Sequence, residues 1–208
     1  MTRRSLAALA VLPCLLVGCS HKGADLSDPS TQASAPVPGV TLPPGTLSEL
    51  VPTPAEVPAG MVPVLQGSGP RTLDVVAGYS GTGAAATRAA ASLRAHGFQA
   101  AYVAQYANQS TGQVVSVVVS RFATKDGATA DFSDDQKGTG GTIVTAEQVG
   151  DASSVTTQTI AGKVSSQLAL LRFLRGTDTW VIAYEAAPTA DPAVPIALAK
   201  AILARNAS

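Results

Sequence analysis

Three acidic residues, Asp131, Asp134 and Asp135, crowd one short polar stretch of a 208-residue chain. Asp131 and Asp135 stand four apart, so a helix would place both carboxylates on one face. Such a pair could hold a cation or share acid-base work. A solvated helix face is the plainer expectation, and no metal site is expected here. His96 falls at the C-terminus of an expected helix, where the helix dipole suits it. It could serve a Ser-His-Asp triad, but no Gly-x-Ser-x-Gly elbow presents a nucleophile. Asp151, in Val-Gly-Asp-Ala-Ser, is expected to cap its own turn. No catalytic residue is assigned, and the chain is not expected to be an enzyme.

Aromatic residues offer a second kind of chemistry. Tyr102 and Tyr106 alternate onto one face of an expected strand, and Trp180 and Tyr184 onto one face of another. A groove lined by these four is the candidate ligand-contacting site. Trp180 has two possible fates, groove wall or core. The shortage of large side chains favours the core, because Ala-rich helices need bulky partners. Gly81-x-Gly83-x-x-Ala86 fits a dinucleotide fingerprint, which also needs a strand before it and an acid about twenty residues on. Ala100 to Gln105 supplies no acid, so no cofactor is expected. With 14 basic and 14 acidic residues and no basic stripe, nucleic acid is not an expected partner.

The N-terminus has a different logic. Arg3 and Arg4 precede an apolar run, Leu6 to Val17, too short to span a bilayer core of roughly 30 Å. That is the form of a signal peptide. The run ends in Leu16-Val17-Gly18-Cys19, which closely resembles the lipobox of bacterial lipoproteins. The resemblance implies a diacylglycerol thioether on Cys19, cleavage before it, and acylation of the new amine by a fatty acid such as palmitate. Two or more chains give stable anchoring, so the expected address is the extracytoplasmic face of the cell membrane. The start, Thr2 to Ala7, also resembles a twin-arginine export motif. Cys14 would leave with the signal and Cys19 would carry lipid, so the mature domain would hold no disulfide. It would carry 12 basic against 14 acidic residues.

Three segments follow. Residues 1–18 are the expected signal peptide. Residues 19–46 are the lipidated cysteine and a Pro/Ser/Thr-rich tether, too poor in apolar residues to order itself. In extended form it would reach roughly 80 Å. Residues 47–208 suit one domain. Its pattern predicts helices at Leu73–Gly78, Ala84–His96 and Lys125–Gln136, the last capped by Thr124. A closing helix starts at Asp191-Pro192. Strands are expected at Phe98–Tyr106, Gln113–Phe122, Thr142–Val149, Val155–Ile160, Ser165–Arg175 and Thr179–Glu185. Short connections make the sheet antiparallel. The expected class is α+β, with about six strands and helices packed mainly on one face.

In order along the chain, "LVPTPAEVPAGM", "RTLDVVAGY", "HGFQAAYVAQYA" and "VVVSRFATKDGATADF" resemble an actinobacterial-type family of extracytoplasmic lipoproteins to which no chemistry is assigned. The Gly-rich turn and Ala-rich helix also loosely resemble the C-terminal domain of LytR-type cell-wall proteins. These resemblances imply compartment and fold and are silent on chemistry. The expected function is a lipid-anchored binding or sensor domain whose ligand the sequence does not identify, with an envelope protein or a small apolar ligand as the candidate partners. The alternative is a module docking an envelope protein or cell-wall polymer, with a hydrolase ranked last.

Overall fold

The computed structural model describes residues 46–138, 140–161 and 165–206. The expected signal peptide, Cys14, Cys19 and the tether as far as residue 45 lie outside them. The elements are β1 (Val62–Pro63), β2 (Gly69–Arg71), α1 (Leu73–Gly78), α2 (Ala84–Ala95), β3 (Phe98–Asn108) and β4 (Gln113–Phe122). After them come α3 (Lys125–Gly138), β5 (Thr142–Val144), β6 (Ala152–Ile160), β7 (Ser166–Arg175), β8 (Asp178–Ala186) and α4 (Ala193–Arg205). Short 3-10 turns at Leu47–Leu50 and Leu65–Gly67 complete the order.

Among the described residues one antiparallel sheet of eight strands runs β1-β3-β4-β8-β7-β6-β5, with β2 also paired to β3. The α+β class is the one the pattern predicts. The strand count rises from the expected six because β1 and β2 add two short strands along β3. Each carries a proline, Pro63 and Pro70, and proline is tolerated at the edge of a sheet but disguises a strand in the pattern. The expected strand from Thr142 shortens, because only Thr142, Ile143 and Val144 find partners on β6.

Alternation along the strands sorts side chains onto two faces. One face carries three rows. Tyr102 stands against Val119, Val119 against Trp180, and Trp180 against Phe173. Ala104, Val117, Ile182 and Leu171 form the next row, and Tyr106, Val115, Tyr184 and Ala169 the third. The turn at Leu47–Leu50 and α4 cover these rows, with Leu47, Leu198 and Ile202 buried among them. Asp191 Oδ1 accepts the Ala193 amide at 2.8 Å, which caps α4 as its Asp-Pro start predicts.

The other face is covered at one end by α1, α2 and α3. Ala77, Ala90, Leu93, Phe122, Ala128, Phe132 and Leu174 form its core. Three of the four α-helices among the described residues thus share a face, and α4 lies opposite. Thr124 Oγ1 accepts the Gly127 amide at 3.1 Å and caps α3. Gly127 is there for space: a Cβ would collide with the His96 carbonyl at the end of α2. That close approach pins the first turn of α3 against α2.

Candidate functional site

The four aromatic residues predicted to line a groove do share one face of the sheet, but they divide. Tyr102 is half-buried and Tyr106 is buried at the edge of the core, and both line a cleft of about 280 Å³ beside the β3 edge. Ser48, Thr53, Pro63, Leu65 and Ser68 contribute to its walls. Trp180 and Tyr184 lie among the buried residues of the core, 3% and 6% exposed, and are not part of that lining. Trp180 stacks on Phe173 with ring centroids 4.6 Å apart and planes 5° from parallel. Its Nε1 donates to the Leu50 carbonyl at 2.9 Å. The core fate favoured for Trp180 is the one observed.

Tyr106 is committed too. Its hydroxyl donates to the Pro52 carbonyl, and burial first, then the neighbouring Tyr102 and Glu56, push its pKa up. The phenol therefore stays protonated and acts as a structural donor. Tyr184 is also shifted upward, by burial and then by Asp191. Of the four rings, Tyr102 presents the most open surface.

The rest of the cleft was not legible from residue types. Its hydroxyls sit in the Pro-rich approach to the domain and on the turn before β2, where no periodic pattern marks them. Leu65, an apolar residue left 64% exposed at the rim, is marked as unusual only by the structure. Behind it, the Gln105 amide donates to Ser68 Oγ at 3.0 Å, and Gln105 Nε2 donates to Ser116 Oγ at 3.2 Å. The Gln105 side chain lies so close over Gly67 that a Cβ there would overlap its Oε1. This fixes the Leu65–Gly67 turn against β3.

Asp131 and Asp135 of α3 reach the opposite face of the sheet, and the expectation of a solvated helix face holds for Asp134 and the outer half of Asp135 but not for Asp131. Asp131 points at the sheet and accepts a hydrogen bond from Thr179 Oγ1 at 3.3 Å. Burial and then the Asp135 carboxylate raise its pKa to about 7. Asp135 lies 3.6 Å from Nε of Arg172, a guanidinium with only 5% of its side chain exposed. Burial raises Asp135 and lowers Arg172, while their mutual attraction opposes both shifts. Half of the Asp135 side chain still meets solvent, which screens its interactions. Asp134 turns the other way, to Lys137 at 2.9 Å and His96 at 3.6 Å, and is held below the usual carboxylate range. Among the described residues, no group of three acids, histidines or cysteines could hold a metal ion.

Other singled-out residues have structural places. His96 ends α2, and its Nδ1 is buried with no hydrogen-bond partner among the described residues. Asp151 caps a neighbouring turn, not its own: Oδ2 accepts the Gly176 amide at 3.0 Å and pairs with Lys125 at 3.3 Å, which hold its pKa down. The Gly81-x-Gly83-x-x-Ala86 stretch follows α1, a helix, where a dinucleotide fingerprint needs a strand. No helix among the described residues is long and apolar enough to cross a membrane.

No protein-family model matches the chain, and no curated protein does. Among solved structures it is similar to the extracellular domain of PknH from Mycobacterium tuberculosis, with a TM-score of 0.43 and 13% identity. The likeness covers 76% of this chain and 94% of that one. Likeness of this degree carries no argument about activity, ligand or cellular place.

Proposed function

We propose that this chain is an exported lipoprotein, anchored by lipid on Cys19, whose domain from residue 47 onward is a binding or sensor module at the outer face of the cell membrane. The observation that carries the address is Leu16-Val17-Gly18-Cys19 at the end of a short apolar run. The feature that supports binding is the cleft against Tyr102. At about 280 Å³ it approaches the size of small-molecule sites. An open aromatic face, proline and leucine walls and a few hydroxyls suit a small, largely apolar ligand with one or two polar groups. The half-buried Asp131 lies on the other face of the sheet, away from this cleft, which favours binding over catalysis.

Two measurements test the two parts separately. Detergent partitioning of natively expressed protein should place wild type in the detergent phase and Cys19→Ala in the aqueous phase. Partitioning of the variant with detergent overturns the anchor. Organic extracts of the purified lipidated protein, read by mass spectrometry, should contain a molecule that is absent from Tyr102→Ala. Identical extracts overturn the cleft as the binding site.

A second reading has its own support. Val62 on β1 and Leu65 stand 52% and 64% exposed near the cleft, an apolar rim that suits contact with another envelope protein. Loss of crosslinking to an envelope protein in Leu65→Asp, with unchanged extracts, would select it.

A further inference from the structure

We propose that the second half of α3 is a proton-sensitive element of the fold. With Asp131 protonated it seats on β7 and β8, and ionisation of Asp131 beside Asp134 and Asp135 loosens it.

The geometry separates the two halves of the helix. The first half is fixed by three contacts: Thr124 caps it, Gly127 lies against the His96 carbonyl, and Lys125 pairs with Asp151 at 3.3 Å. Ala128, fully buried, and Phe132 then seal the apolar side. From Asp131 onward the contact with the sheet turns polar. Asp131 meets Thr179 of β8, and Asp135 meets Arg172 of β7.

Charge compensation along this half is uneven. Asp134 has Lys137 on its own helix and His96 at the end of α2. Asp135 has Arg172. Among the described residues, no cation lies within ion-pair distance of Asp131. From β8 it faces the neutral Thr179, and its influential neighbours on α3 are Asp135 and Asp134, both acidic. On β4, the residues of this face beside α3, Val118, Ser120 and Phe122, carry no charge. An ionised Asp131 would therefore sit partly desolvated beside two like charges. The protonated form avoids both costs, in keeping with a pKa near 7. The sign follows. A raised acid pKa holds the helix down most firmly in mild acid, and that grip fades as pH climbs through neutrality. Arg172 keeps Asp135 from acting the same way with equal force.

Amide hydrogen exchange of the whole folded protein between pH 5.5 and 8.5 tests this, with rates corrected for the intrinsic pH dependence. Peptides covering residues 130–138 should lose protection on the order of tenfold across that range. Peptides from α4 should hold theirs. Asp131→Asn, which keeps the shape and removes the titration, should protect residues 130–138 equally at both ends. Carboxyl carbon resonances of the wild-type protein supply a check that needs no variant: Asp131 should titrate near neutral pH. Flat protection in wild type, a persistent pH slope in Asp131→Asn, or an Asp131 midpoint in the ordinary carboxylate range would each overturn the proposal.

Discussion

On the face under α4, the polar tips of the buried rings Trp180 and Tyr106 each have a fixed partner. Trp180 donates to the Leu50 carbonyl and Tyr106 to the Pro52 carbonyl, so two residues of β8 and β3 grip the incoming chain. On the face under α3, the polar groups at the sheet are charged and incompletely matched. Asp131 has a threonine, and Arg172 has one carboxylate 3.6 Å away. The same sheet thus has one face where polar atoms lock the covering segment and one where they make its seating conditional. A neutral donor on a neutral acceptor is insensitive to pH, while a half-buried carboxylate pays for desolvation only when ionised.

The contrast is sharpest at Trp180. Trp180→Ala should cost about 3–5 kcal/mol in chemical denaturation, since it removes a stacked ring and strands the Leu50 carbonyl. A cost under about 1.5 kcal/mol would break the comparison by showing that this face is loosely packed. Trp180 is the only tryptophan, so its emission should be blue-shifted and poorly quenched by iodide.

Asp131→Asn should act in the opposite direction. The folded pKa is raised, so the stability linked to this group is fully present below pH 3.8 and is lost as pH rises through about 7. The variant escapes that loss and should gain about 2 kcal/mol at pH 8, short of the full linkage value because water reaches part of the site. At pH 4 the two proteins should be close. Thermal melts at both pH values read the difference, and an equal offset at pH 4 and pH 8 would show that titration is not the cause.

Smaller effects separate the two tyrosines of the cleft. Tyr106→Phe leaves the buried Pro52 carbonyl without its donor and should cost about 1–2 kcal/mol. Tyr102→Phe, at the half-buried wall where water can replace the hydroxyl, should cost under about 0.5 kcal/mol. Equal costs from denaturant titrations would mean that both rings belong to the core or both to the cleft.

Strand and helix periodicity carried the α+β class, the α1 span, the β4 span and the Asp191-Pro192 start of α4, because these depend on alternation, capping and backbone chemistry within a few residues. Aromatic alternation likewise placed Tyr102 and Tyr106 on one strand face and Trp180 and Tyr184 on another. The proline-bearing β1 and β2 carry no such local signal, since their strand character comes from pairing with β3 and not from their own pattern. The resemblance of Leu16-Val17-Gly18-Cys19 to a lipobox is also a local signal, and the lipidation it implies is an expectation of the sequence alone.

Tertiary structure decided what those local features meet. Four-residue spacing put Asp131 and Asp135 on one side of a helix, but only the packing of α3 turned that side toward β7 and β8 and gave the two acids different neighbours. Alternation could not tell core from cleft among the four rings. That depended on where the turn at Leu47–Leu50 and α4 come to rest, far along the chain from β3 and β8. Periodicity is a property of neighbouring residues, whereas burial, pKa and access depend on segments brought together by the whole fold.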